Sequence, residues 1–103
     1  MQFSVNTEGA KVVVRIRGEF DANSAPSVRA QIDAIVESRP SHVEVDLSSL
    51  RLIDSTGVGG IVSLFKRTRA YGGQFNVTGV QGQPRSIFRL LRLDHVFGLD
   101  ETS

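Results

Sequence analysis

One short segment of the chain combines residue types that can carry and hold a phosphate: Asp54-Ser55-Thr56-Gly57-Val58-Gly59-Gly60. A loop leads into a predicted helix here, and the start of a helix has unpaired N–H groups and a partial positive charge. Ser55 or Thr56 can cap such a helix, and a phosphoryl group on Ser55 would face the same N–H groups. The segment therefore predicts either a simple helix cap or an anion-holding phosphorylation site.

Three glycines, Gly57, Gly59 and Gly60, fall in the first turns of this helix. Each weakens a helix by roughly 1 kcal/mol relative to alanine, which indicates close approach either of a partner surface or of the sheet on which the helix packs. The segment does not match the phosphate-loop pattern GxxxxGK[ST], because no lysine follows the glycines. Val62 stands where the GxGxxG fingerprint needs its third glycine. Nucleotide hydrolysis and hydride transfer by this chain therefore have little support.

Strands and helices must alternate along the chain to position this segment. Gln2–Thr7 and Lys11–Arg17 have alternating apolar residues and a short turn between them, as in an antiparallel hairpin that Gly18 ends. The other predicted elements are a helix over Ser24–Ser38 with Ser24 as its cap, a strand at His42–Leu47, a loop at Ser48–Asp54, a helix over Ser55–Tyr71, a strand at Gln74–Thr78 and a helix opened by Pro84.

Strand–helix–strand units with short connections favour parallel pairing, and the first hairpin adds an antiparallel pair. We therefore expect an α/β fold in one domain over residues 1–103, with a mixed β-sheet of about four to five strands covered by about three to four helices. Leu50, Leu52 and Ile53 are expected to point inward from their loop. In the last helix we expect Ile87, Leu90 and Leu91 in the core and Phe88 at the surface, followed by an apolar patch of Val96, Phe97 and Leu99.

Composition narrows the class of protein. The chain has 103 residues, 40% of them apolar and 22% charged, with a net charge of +1 and no cysteine. A disulfide framework, a thiolate zinc site and a cysteine nucleophile are therefore excluded. No apolar run approaches the roughly 20 residues that span a bilayer, and the N-terminus does not resemble a signal peptide. We expect a cytoplasmic protein without membrane insertion, and the small net charge gives no reason to expect a nucleic-acid partner.

Other chemically capable residues give weaker patterns. His42 and His95 fall in different elements without HxH or HExxH spacing, so no metal site and no cofactor are expected. Asp21 and Asp54 are an alternative acid–base pair, but aspartates far apart in sequence are common on surfaces. A basic stripe on the last predicted helix is typical of a solvated face and alternatively fits an acidic partner: Arg85, Arg89 and Arg92.

The passage from Val43 to Val80 resembles the central block of STAS-domain anti-sigma factor antagonists. Both have a strand ending in Asp-Leu, a loop, an Asp-Ser-[Ser/Thr]-Gly motif that opens a helix, and Gly-Gly before a strand. The earlier Gly18-Glu19-Phe20-Asp21 is similar to the family's Gly-Glu-[Leu/Phe]-Asp. The order of elements matches over nearly the whole chain, so the resemblance implies a single STAS domain.

This resemblance implies a partner-switching regulator that is not an enzyme. Ser55 would be the phosphorylation site, with Thr56 as the secondary candidate. A GHKL-type serine kinase, which is also the anti-sigma factor or an equivalent switch protein, would modify Ser55 using ATP, and a PP2C-type phosphatase would reverse the change. The unphosphorylated protein, monomeric when free, would bind the kinase.

The resemblance also implies which residues meet the partner. Asp54 and Asp21 would lie beside the phosphorylated serine, and Gly57 at the helix start. The expected interface combines the loops Gly18–Asp21 and Ser48–Asp54 with the start of the helix, and the helix side near Ser63, Lys66 and Arg67 is expected to contribute. The residues expected at its centre are Glu19, Asp21, Asp54, Thr56, Gly57, Val58, Gly59 and Gly60. An alternative is a cytoplasmic STAS subunit that docks on the ATPase of an ABC-type lipid transport complex.

Overall fold

Five strands and four helices make up the described part of the chain, residues 1–98 of the computed structural model. In chain order they are β1 (Gln2–Glu8), β2 (Lys11–Phe20), α1 (Ala25–Ser38), β3 (His42–Asp46), β4 (Leu50–Ile53), α2 (Ser55–Ala70), β5 (Gln74–Thr78), α3 (Gly82–Leu90) and α4 (Leu93–Val96). The predicted α/β fold class is confirmed. None of the helices within residues 1–98 is both long and apolar enough to cross a membrane.

Strand β2 organises a mixed five-stranded sheet. β1 pairs with it in antiparallel orientation, as predicted for the hairpin. β3 runs parallel to its first half and β4 runs parallel to its last residues, Gly18–Phe20. β5 completes the sheet as a parallel neighbour of β3. The carboxyl ends of β2 and β4 therefore lie side by side, directly before α1 and α2.

The two faces of the sheet differ in character. Alternate residues of β2, β3 and β5 join the inner sides of α1 and α2 in one apolar core that includes Val14, Val45 and Ile61. The opposite face carries the Lys11–Glu44 and Arg15–Asp46 ion pairs. Burial raises the pKa of Asp46, but hydrogen bonds from Ser48 and the Arg15 guanidinium outweigh it and hold that pKa below its ordinary value.

The prediction that Gly18 ends the second strand is wrong. Gly18 adopts a φ of +91°, and the pairing register shifts between it and Glu19, so the strand bends there and continues to Phe20. The Gly18 N–H donates to the Ser49 carbonyl oxygen at 3.0 Å. Glycine provides this conformation at little cost, and a bulge of this kind redirects a strand without ending it.

The loop predicted over residues 48–54 contains β4 instead. Because β2 continues beyond Gly18, its backbone is available to this segment, and three of the four residues of β4 pair with Gly18, Glu19 and Phe20. Leu50 and Ile53 are buried, as expected, but Leu52 is 46% exposed. The two ends of β4 are buried and its two middle residues are exposed, so its burial does not alternate and a period of two cannot predict it.

The expected apolar face of α3 is displaced around the helix. Phe88 is fully buried, with its ring centroid 5.5 Å from that of Phe97, whereas Leu90 is 76% and Leu91 51% exposed. The helix begins at Gly82, and the buried Pro84 lies one turn before Phe88, so these two residues define its inner side. Of the predicted terminal patch, Phe97 is buried and Val96 is largely exposed, while Leu99 lies outside the described residues.

Candidate functional site

Asp54 caps α2, a role that the sequence had assigned to Ser55 or Thr56. Its Oδ1 accepts a hydrogen bond from the Gly57 N–H at 2.9 Å, and its Oδ2 accepts one from the Ala22 N–H at 3.2 Å. The Asp54 N–H donates to the Phe20 carbonyl oxygen at 3.2 Å. One residue therefore ties the start of α2 to the chain that leaves β2.

Ser55 and Thr56 form the first two positions of α2, and both are exposed. Neither hydroxyl has a hydrogen-bond partner in the part of the chain that the structure describes. The backbone N–H groups of the first helical residues have no acceptor within a helix. Asp54 accepts from Gly57 and Val58, so the N–H groups of Ser55 and Thr56 are the ones without an acceptor among the described residues. Ser55 consequently presents an accessible hydroxyl beside these two N–H groups at the positive end of α2.

The Asp21 side chain shapes the loop that faces this helix start. Its Oδ1 accepts hydrogen bonds from the N–H groups of Asn23 and Ser24 at 3.0 and 3.2 Å. Ser24 stands at the cap position of α1, but its hydroxyl donates back to the Asp21 carbonyl oxygen and makes no cap bond. Through Ala22, the next residue, this loop meets Asp54, so the structure brings the two predicted acidic positions into one neighbourhood.

Glu19 lies on the same edge of the sheet, on the extension of β2. Its carboxylate is 3.4 Å from the Arg51 guanidinium of β4, and both side chains are largely exposed. An exposed ion pair of this length contributes little to stability. Glu19 is therefore available at the surface next to the loop of Asp21.

The glycines of α2 have different structural reasons. A Cβ on Gly57 would lie 2.6 Å from the Phe20 carbonyl oxygen and 2.7 Å from Ile53 Cγ1, and one on Gly60 would lie 2.9 Å from the Phe20 ring. A Cβ on Gly59 would meet no atom within 4 Å. Gly57 and Gly60 thus allow α2 to pack on Phe20, whereas packing inside the protein does not require Gly59.

Val58, which the sequence included among the partner-binding residues, packs in the core with 6% of its surface exposed. Gly57 is also buried. The residues that reach the surface in this part of α2 are Ser55, Thr56 and Gly59. Within α2, the exposed part of the predicted site is therefore one side of the first two turns of the helix.

A groove of about 360 Å³, here called the α1–α2 groove, runs between the two helices next to this surface. Its floor includes Phe20, Val28 and Ile32. Further lining residues come from the two walls and are Ala25, Arg29 and Asp33 of α1, and Thr56, Gly59, Gly60, Ser63 and Arg67 of α2. Thr56 belongs both to the helix start and to the groove, so the two are continuous.

Sequence reasoning missed Gln83 of α3. Its Oε1 accepts a hydrogen bond from the Ile53 N–H at 2.9 Å, and its Nε2 donates to the Ile53 carbonyl oxygen at 3.0 Å. The amide thus pairs with the free edge of β4 as a neighbouring strand would. A glutamine next to Pro84 gives no pattern in the sequence that would reveal this contact 30 residues away.

Comparison with known proteins gives consistent matches. A family model for the STAS domain matches residues 2–103. The anti-sigma F factor antagonist of Paenibacillus polymyxa is 29% identical over 98 residues, covering 94% of this chain and 81% of the relative. The anti-sigma-B factor antagonist of Bacillus subtilis (strain 168) is 30% identical over 90 residues, covering 87% and 76% respectively.

The fold is also similar to that of a solved crystal structure, an anti-sigma factor antagonist from Mycobacterium paratuberculosis. The two chains are 27% identical and superpose with a TM-score of 0.85 over 98% of this chain and 86% of the other. The likeness therefore extends through the sheet and the helices that hold the Ser55 segment.

Proposed function

The chain belongs to the STAS domain family, and we propose that it is an anti-sigma factor antagonist that acts by partner switching. In this proposal the unphosphorylated protein binds a GHKL-type serine kinase that is also an anti-sigma factor. Phosphorylation of Ser55 ends that binding, and a PP2C-type phosphatase restores it. The protein acts in the cytoplasm as a phosphate acceptor and performs no chemistry itself.

The observation that carries this proposal is the setting of Ser55. Its hydroxyl is exposed and without a partner among the described residues, while its neighbour Asp54 makes four hydrogen bonds, one with Phe20 of β2, one with Ala22 of the loop and two with the first turn of α2. A serine in this setting is accessible to a kinase, and its backbone is fixed before the kinase arrives. The curated relatives named anti-sigma factor antagonists support the type of partner.

Charge explains why phosphorylation would oppose binding. A phosphoserine adds about −1.5 to −2 charges at neutral pH. At Ser55 this charge would stand beside the Asp54 carboxylate and near the loop of Asp21. A partner surface that fits the unmodified site would have to bury this extra, incompletely paired charge. A loss of about 4 kcal/mol from that effect corresponds to roughly a thousandfold lower affinity.

Phosphorylation assays on purified protein test the proposal. The wild type, Ser55→Ala and Thr56→Ala are each incubated with ATP and candidate GHKL-type kinases, and the products are measured by intact-mass and peptide mass spectrometry. We expect one phosphate on the wild type and on Thr56→Ala, and none on Ser55→Ala. Ser55→Ala should still bind the kinase, since the unmodified surface remains.

Two results would contradict the proposal. A phosphate that stays in Ser55→Ala and disappears in Thr56→Ala would move the site to Thr56. Failure of all kinases to modify or bind the wild type, together with tight binding to an ABC ATPase, would favour the transport-subunit alternative and leave Ser55 as a residue of the helix start.

A further inference from the structure

Gly59 has no role in packing the protein itself. It is exposed, and a Cβ there would meet no atom within 4 Å. A glycine inside a helix lowers its stability by about 1 kcal/mol relative to alanine, so the fold alone would favour a larger residue. Because position 59 has no side chain, the α2 wall of the α1–α2 groove has a gap between Thr56 and Ser63.

The groove is apolar at its floor and bounded at one end. Phe20, Val28 and Ile32 provide carbon surface between the helices. The Arg67 guanidinium and the Asp33 carboxylate meet at 2.6 Å across the cleft. Both residues also line a second depression further along α1, so their ion pair separates the two cavities. The other end of the groove opens beside Thr56, next to Ser55.

The charge of the groove is positive and uncompensated. Arg29, Asp33 and Arg67 are the charged residues that line it. Asp33 and Arg67 neutralise each other, whereas Arg29 is exposed and has no ion-pair partner among the described residues. An occupant that complements this groove therefore carries an apolar side chain for the floor and a carboxylate for Arg29.

We propose that the α1–α2 groove receives a segment of the kinase in which an aliphatic side chain lies next to an aspartate or glutamate. The aliphatic side chain passes over Gly59 onto the Phe20 floor, and the carboxylate pairs with Arg29. This inference rests on the proposed function, because it takes the kinase as the partner. The groove is a second region of contact with the kinase, beside the start of α2, and the kinase segment that enters it is negatively charged.

The groove also lies next to Ser55, the proposed phosphorylation site. Thr56 lines the groove, and Ser55 precedes it at the open end. A phosphate on Ser55 therefore approaches an acidic segment in the groove and repels it. The bound partner is displaced by like charge at this position, and no change of the fold is needed.

Two variants of the groove and two matched controls test the proposal, using the GHKL-type kinase that modifies the wild type. Arg29→Glu reverses the groove charge, and Gly59→Leu fills the gap in its α2 wall. Arg17→Glu makes the same charge change on the exposed opposite face of the sheet, and Ala70→Leu adds a leucine at the exposed end of α2. Dissociation constants are measured by calorimetry at low and at high salt, and folding is checked by thermal unfolding.

We expect both groove variants to weaken kinase binding by at least about tenfold and both controls to bind within about twofold of the wild type. Added salt should weaken wild-type binding more than binding of Arg29→Glu. Salt screens the attraction between Arg29 and the kinase carboxylate, which the variant no longer has. Replacing the kinase aspartate or glutamate that pairs with Arg29 by lysine should restore binding to Arg29→Glu.

Wild-type affinity in both folded groove variants would overturn the groove proposal, and normal phosphorylation of Ser55 in the same variants would leave the proposed function intact. A higher affinity of the kinase for Arg29→Glu would overturn the prediction that the segment in the groove is negatively charged. If no kinase binds or modifies the wild type, the proposed function fails and the groove proposal fails with it.

Discussion

Gly57 and Gly59 stand two residues apart in α2, but they differ in what surrounds them. We predict that Gly57→Ala destabilises the protein by about 1–3 kcal/mol, because the new Cβ would press on the Phe20 backbone and Ile53. Gly59→Ala should instead stabilise it by about 0.5–1 kcal/mol, because alanine favours the helix and the space is open. Urea unfolding of both variants measures the change in unfolding free energy, which should be a loss for Gly57→Ala and a gain for Gly59→Ala. Equal losses of stability at both positions would show that Gly59, like Gly57, is packed against neighbouring atoms.

The chemistry of single residues could be predicted from the sequence only in part. The order Asp54-Ser55-Thr56 before a helix already identified an anion-holding segment. The choice of cap was wrong, because aspartate, serine and threonine all cap helices well and only the geometry distinguishes them. The difference between Gly57 and Gly59 depends on Phe20, a residue on another element, so spacing along the helix cannot reveal it.

At the scale of elements, α2 carries a buried polar group that we expect to be unfavourable. Thr68 is fully buried, and its hydroxyl has no hydrogen-bond partner in the part of the chain that the structure describes. Thr68→Val has nearly the same shape and removes the unpaired hydroxyl, so we predict a gain in unfolding free energy of about 1–2 kcal/mol. Thermal unfolding with Thr68→Ser as a control measures it. A loss of stability in Thr68→Val would mean that the hydroxyl is paired.

The elements themselves were predicted best where a pattern is long. The hairpin, α1, β3, α2 and β5 all appear near their predicted positions. β4 was missed because four residues are too few for periodicity and because its partner is the part of β2 beyond Gly18. The inner side of α3 was misplaced because four neighbouring apolar residues, Ile87, Phe88, Leu90 and Leu91, allow more than one face. In the fold Phe88 packs against Phe97 in the core, and Ile87 is partly buried against that core.

At the scale of the whole molecule, we predict that modification of Ser55 leaves the fold unchanged. Ser55 is exposed and outside the core, and the loop after β2 is held by the hydrogen bond from the Ala22 N–H to Asp54, not by Ser55. Ser55→Asp should keep its unfolding free energy within about 0.5 kcal/mol of the wild type. In NMR spectra its amide shifts should change near residues 20–24 and 53–60 only. Large changes in β5 or α3 would contradict a purely local switch.

The two hydrogen bonds between Gln83 and Ile53 also have a consequence for the order in which the protein is made. A ribosome delivers residue 55 well before residue 83, so a growing chain contains the serine before it contains the amide that holds the end of β4. Ile53, the last residue of β4, therefore gains these two hydrogen bonds only after α3 has been made and has docked on the strand.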